Sequence, residues 1–140
     1  MTLSDVVVPQ FPADVLAEKA DSIYFLMFEG WEQEMRSNRW HYATRWACHL
    51  PIVLVQPILD SDAAPSVSVT EPRIKNCRIL RVRRTTLPGA TMVGRLQQAQ
   101  QILADMQAHG HSRPILWTYS PDYVFAHSLI PAVMRVYHAT

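Results

Sequence analysis

Ile23-Tyr24-Phe25-Leu26-Met27-Phe28 is an unbroken apolar run of β-prone residues, with Asp21-Ser22 before it and Gly30 after it. A strand with one wet face alternates apolar and polar residues. A run with no polar position reads as a strand buried on both faces, which is the habit of parallel sheets. Parallel strands need crossovers, and the residues beyond Gly30 supply one. The polar stretch up to Asn38 ends in a residue able to cap a helix over 39–50, and Pro51 stops that helix. Ile52-Val53-Leu54-Val55 is then a second all-apolar strand, closed by Gln56-Pro57. The chain up to Val55 therefore reads as one βαβ unit.

Farther along, the pattern changes and then resumes. A loop over 60–65, a β-prone 66–70 and a mixed-face strand over 77–83 suggest a hairpin or an edge excursion. Leu87-Pro88-Gly89-Ala90 punctuates the chain. The segment 93–109 then places Val93, Leu96, Ile102, Leu103 and Met106 at helical spacing against a Gln-rich opposite face. Gly110 suits the position just past that helix, and a protonated His109 would complement its dipole. A buried-type strand over 115–119, a short helix over 122–130 and a strand over 133–138 complete the alternation. The expected fold is Rossmann-like α/β, a mostly parallel sheet flanked by helices with right-handed crossovers. It occupies one domain over 21–140, behind an N-terminal extension over 1–20.

Composition agrees with one folded unit. A chain of 140 residues, 49% hydrophobic and 18% charged, is too apolar for a disordered tail and too poor in charge for a coiled coil. The net charge of +1, from 13 basic and 12 acidic residues, gives no global field toward nucleic acid or anionic lipid, and no nucleic-acid partner is expected. Cys48 and Cys77 cannot form a disulfide framework, and Cys48 reads as a small buried hydrophobe within the first helix. Asp5, Asp14 and Glu18 replace the basic start of a signal peptide, and no apolar run approaches the ~18 residues of a membrane span. A cytoplasmic domain follows, at most peripheral at the inner face of the membrane.

Ligands of open parallel sheets bind outside the carboxyl ends of the strands, so the residues following each strand are the candidates. After the first strand these are Glu29, Gly30 and Trp31, with Asn38, Arg39, Trp40, His41 and Tyr42 at the helix start. After the strand over 115–119 come Tyr119, Ser120, Pro121 and Asp122, and the last strand ends on Tyr137 and His138. Aromatic faces that can pack on sugar rings, together with Asn, Arg and His donors, suit carbohydrate or nucleotide-sugar chemistry. Each aromatic taken alone is equally well core filler. Glu29, Glu32 and Glu34 read as solvated loop carboxylates more readily than as a general base. The histidines lack zinc-ligand spacing, so no metal is expected. Gly89 and Gly94 have the P-loop separation, but Arg95-Leu96 stand where Lys and Ser or Thr are needed, and no dinucleotide fingerprint occurs. Ser120-Pro121-Asp122 is no nucleophile elbow.

Six cations, Arg73, Lys75, Arg78, Arg81, Arg83 and Arg84, crowd one segment. They read either as a patch for anionic surfaces, with Arg78, Arg81, Arg83 and Arg84 making the contact, or as charges that keep an edge strand from pairing with other sheets. The second reading is preferred.

The segments 25–31 (FLMFEGW), 38–42 (NRWHY), 115–122 (ILWTYSPD) and 133–139 (VMRVYHA) follow one another as in a known family. The chain from Asp21 onward resembles the N-terminal, acceptor-side domain of GT-B glycosyltransferases of bacterial exopolysaccharide and cell-envelope synthesis. The glucuronosyltransferase of xanthan assembly and the teichuronic-acid-type transferases are the nearest comparisons. The resemblance implies a saccharide or lipid-linked acceptor at this domain and no cofactor within it. It further implies a separate C-terminal domain holding the nucleotide-sugar donor, UDP- or GDP-linked, so that this chain would be the first half of an enzyme and inactive alone. His138 is the residue it carries over to the reacting sugars. Inverting members place a base at or just after this strand, where Ala139 and Thr140 follow here, so no base is assigned. The alternatives are a self-contained flavodoxin-like or receiver-like module, or a polyanion-binding domain using Arg73 to Arg84.

Overall fold

In a computed structural model of the protein, the described residues are 19–28, 31, 37–58, 67–83, 89 and 91–138. Residues 1–18 of the expected extension over 1–20, the loop over 60–65, Glu29, Gly30, Glu32, Glu34 and Arg84 lie outside them. The chain forms β1 (Ser22–Leu26), α1 (Asn38–Trp46), β2 (Ile52–Ile58), β3 (Val67–Thr70), β4 (Cys77–Arg83), α2 (Thr91–His109), β5 (Pro114–Thr118), α3 (Val124–Leu129) and β6 (Met134–Tyr137). The strands make one six-stranded sheet in the order β3-β4-β2-β1-β5-β6. All neighbours are parallel except β3, which runs antiparallel to β4. The fold is thus the expected Rossmann-like α/β architecture.

β1 lies in the middle of the sheet and is buried at every position, as its unbroken apolar run requires. Ile23 and Phe25 face α1, while Tyr24 and Leu26 face α2 and α3. The two cores are therefore the two faces of one sheet. The chain leaves β2 and returns along the edge as β3, then starts β4 beside β2. No described helix comes from that crossover, and α1 is the one described helix on its face. Trp40, Tyr42, Trp46 and Trp117 pack against the core there, covering with ring area what a nine-residue helix leaves open.

Several sequence boundaries shift, each for a local reason. Ser37, not Asn38, caps α1, its side chain accepting from the Trp40 N–H. The helix ends at Trp46 rather than Leu50, since the chain must turn inward to bury Leu50 before Pro51. Cys48 falls in that turn and is exposed, correcting the buried placement. β2 continues through Pro57 because β1 has ended by Val55. Beyond that point β2 pairs with β4 alone, so the missing proline N–H costs no bond on the other side. The predicted short helix over 122–130 is a 3-10 turn (Pro121–Tyr123) followed by α3.

Of the two readings of 66–83, the hairpin is the one observed: β3 and β4 pair antiparallel, and β4 is not an edge, being enclosed by β2 and β3. The helix pattern after it is corrected. On α2, Val93 and Leu96 are exposed, while Gly94, Gln98, Ala99, Ile102, Asp105 and Met106 form the buried face. The inward stripe carries Gln98 and Asp105, so hydrophobicity alone could not locate it. Its C-terminus is as expected: Gly110 adopts φ 70, and the N–H groups of Gly110 and His111 bond to the carbonyls of Gln107 and Met106. Among the described residues, no helix is long and apolar enough to cross a membrane.

Candidate functional site

The parallel strands run outward from β1 in both directions, so the succession reverses between β1 and β5, and the crevice of such sheets lies at their carboxyl ends. A helix following β1 begins at the same end, which brings the start of α1 to that rim. Period-two alternation then aims Trp117 and Tyr119 at the α1 face, and the His138 N–H donates to the Thr118 carbonyl (2.8 Å), setting its ring level with Tyr119.

The result is an aromatic group. The His138 ring stacks on Tyr119 at 5.0 Å and meets Tyr42 edge-on at 5.9 Å and Trp117 at 6.5 Å. Tyr42 lies 4.8 Å from Trp117, and Phe25 underlies both Trp117 and Tyr119. Tyr119 is buried, whereas Tyr42, Trp117 and His138 are half-buried. The structure therefore brings together three predicted residues from three elements. It adds Trp117, which sequence reasoning treated only as a strand residue.

Trp31 belongs to a second group on the same face. Its side chain is wholly buried, its backbone N–H donates to Gln56 Oε1, and its indole N–H donates to Glu71 Oε2 at 2.6 Å. Trp40 stacks on it at 5.7 Å, and the Arg73 guanidinium lies 4.8 Å from the Trp40 ring. Arg73 closes the group by pairing with Glu71 at 2.9 Å. Burial alone would raise the Glu71 pKa, but hydrogen bonds from Arg73 and Trp31 overcome that and hold it below the usual carboxylate range.

The other predicted rim residues divide. Asn38 and His41 are exposed on α1, and Arg39 is half-buried there. Ser120 is buried and its hydroxyl caps the turn by accepting from the Asp122 N–H, while the Asp122 carboxylate pairs with Arg95 at 3.3 Å. Tyr123, which the sequence did not single out, ties the turn after β5 to the end of β1 by donating from its hydroxyl to the Met27 carbonyl (2.7 Å). Beneath the rim, Thr118 Oγ1 and His127 Nδ1 are 2.8 Å apart; burial, then the charge of Arg135, pushes the His127 pKa down.

Two cations of the basic segment are engaged with carboxylates. Arg73 is committed to Glu71, and Arg78 forms two 3.0 Å bonds to the buried Asp105 carboxylate and a third to Ser68. Asp105 also accepts from the Tyr24 hydroxyl at 2.6 Å. Burial works against the charged carboxylate, yet the bonds from Arg78 and Tyr24 hold the Asp105 pKa low, and burial first pushes the Tyr24 phenol up. Arg81 is half-buried and Arg83 exposed at the end of β4. The buried Cys77 thiol is pushed up to about 12, mainly by desolvation, and so stays protonated and inert. Among the described residues no group of three or more His, Cys, Asp or Glu could hold a metal ion.

The fold and rim define a Rossmann-like α/β domain with an aromatic and histidine group at its carboxyl edge. No family model, curated protein or solved structure matches the chain.

Proposed function

We propose that this chain is the acceptor-side domain of a glycosyltransferase that moves a sugar from a nucleotide-sugar donor to a saccharide or lipid-linked acceptor. The observation that supports it is the cluster of Tyr42, Trp117, Tyr119 and His138 at the carboxyl ends of β5 and β6. Half-buried rings beside a histidine offer apolar faces for the C–H side of a sugar and polar edges for its hydroxyls. In the transfer, the acceptor hydroxyl oxygen bonds to the anomeric carbon of the donor sugar. The bond from that carbon to the nucleoside diphosphate breaks, and the hydroxyl proton passes to a base. The part of this chain is to hold the acceptor, with His138 beside the reacting hydroxyl, while a donor-binding half supplies the activated sugar. The likeness of the segments at 25–31, 38–42, 115–122 and 133–139 to GT-B acceptor domains supports the same reading.

A polyanion-binding role draws less support, since Arg73 and Arg78 are committed to Glu71 and Asp105. Titrating the chain with cellobiose and maltose, followed by NMR shifts of aromatic and indole resonances, tests the proposal. Weak, saturable shifts confined to Tyr42, Trp117, Tyr119 and His138 are expected, and shifts absent with both sugars would overturn it.

A further inference from the structure

The indole Nε1 of Trp117 is buried and has no hydrogen-bond partner among the described residues. A buried N–H without an acceptor is rare in folded proteins, because its lost hydration is not replaced, and such an exception calls for a physical reason. Trp31 shows what the same group does elsewhere on this face, where its indole N–H ends on Glu71. Around Trp117 the neighbours are Phe25, Tyr42 and His138, three rings. Tyr42 and His138 are only half-buried, Tyr42 on α1 and His138 just past the end of β6, so a change of side-chain rotamer at either leaves the strands paired.

We infer that Trp117 is a ligand-contacting residue of the proposed acceptor site. Its indole N–H donates to a hydroxyl oxygen of the bound saccharide once Tyr42 or His138 moves. The inference rests on the carbohydrate reading above and adds a specificity determinant to it. A donor held dry and unpaired gains a full hydrogen bond when an acceptor arrives, whereas a donor already paired gains only an exchange. A ring hydroxyl supplies that acceptor; a bare apolar surface does not. The arrangement therefore discriminates sugars by one hydroxyl, while the ring faces supply affinity that is indifferent to hydroxyl pattern.

The test uses the whole chain with cellobiose and maltose, the Trp117 indole resonance being assigned by its loss in Trp117→Phe. On saturation with the sugar that binds, the Trp117 N–H resonance is expected to move downfield. Trp117→Phe, which keeps an aromatic face, is expected to weaken binding roughly three- to tenfold, the range of one neutral hydrogen bond. Removing sugar hydroxyls one at a time in deoxy analogues completes a double-mutant cycle. One deoxy analogue should bind the wild type more weakly by a similar factor and bind Trp117→Phe without further loss. A merely structural Trp117 would not produce that coupling. If Tyr42 and His138 resonances shift on binding while Trp117→Phe binds as the wild type does, the inference fails and the carbohydrate reading stands. If no resonance of the cluster shifts with either sugar, the carbohydrate reading fails, and the inference falls with it.

Discussion

Two tryptophans on the α1 face of the sheet are both surrounded by rings, yet their indole N–H groups are treated in opposite ways. Trp31 donates to a buried carboxylate that Arg73 also grips, so every charge in that group has a partner. Trp117 donates to nothing among the described residues. The difference separates two uses of aromatic side chains. The Trp31 group closes its own hydrogen bonds and fixes the edge of the sheet around β3 and the start of α1. The Trp117 group leaves one bond open and lies where the strands end.

The comparison is broken most severely at Glu71. Its side chain is 1% exposed and receives Trp31 and Arg73 together. Glu71→Ala removes the shared acceptor, leaving a buried indole N–H unpaired and taking from Arg73 the carboxylate that receives three of its N–H groups. A loss of about 3 kcal/mol in urea denaturation is expected, the range for breaking a buried ion pair. A loss below about 1 kcal/mol would mean that the group is held by stacking alone. Trp31→Phe comes next. It keeps the ring but removes the donor to a charged acceptor, and about 2 kcal/mol is expected by the same measurement.

Acid probes the satisfied groups together. Glu71 and Asp105 are held below their ordinary 4.5 and 3.8 in the folded state, despite burial, by their hydrogen-bond and ion-pair partners. The unfolded chain therefore protonates first as pH falls, and the stability these groups contribute is lost as pH drops through those values toward the folded ones. His111 and His127 are pushed below 6.5, chiefly by burial, so the unfolded chain again takes up protons first, beginning nearer neutrality. All four shifts have the same sign. The urea midpoint should fall steadily from pH 7 to about pH 3, with the steepest part below pH 4.5. Glu71→Gln should flatten that steep part, and an unchanged acid limb in this variant would show that Glu71 is not held ionised by its partners.

How far the sequence discloses these groups follows from which interactions are local. The apolar runs around Phe25, Val53 and Leu116 disclose the buried parallel strands, since all-apolar runs of strand length, rich in β-prone residues and bounded by turn formers, fit a strand buried on both faces. Gly110 discloses the end of α2. The rim residues Tyr42, Tyr119 and His138 are legible as positions following strands, because the carboxyl ends of a parallel sheet share one edge. The partners of Trp31 and Tyr24 are not legible. Glu71 is 40 residues from Trp31 and Asp105 is 81 from Tyr24, and both pairings depend on where β3 and α2 lie. The cation run is ambiguous in sequence for a related reason: an arginine looks the same whether it faces water or, like Arg78, a carboxylate beneath a helix. Trp117 stayed hidden because an apolar strand residue gives no sign of whether its N–H finds an acceptor.

The smallest expected change in stability is at Trp117 itself, and its smallness is the informative part. Trp117→Phe and Trp31→Phe remove the same indole ring, and both leave a phenyl group against Phe25 or Trp40. At Trp31 the substitution also removes a bond to a buried charge. At Trp117 it removes a donor that the fold leaves unpaired, so relief of that desolvation offsets part of the lost packing. Trp117→Phe should therefore shift stability by less than about 1 kcal/mol, clearly less than Trp31→Phe measured side by side. Equal losses at the two positions would mean that the Trp117 N–H has a partner in the folded chain, and the contrast between the two groups would disappear. A small loss in stability accompanied by weaker saccharide binding would place Trp117 on the side of function, since a group that contributes little to folding then contributes to the ligand.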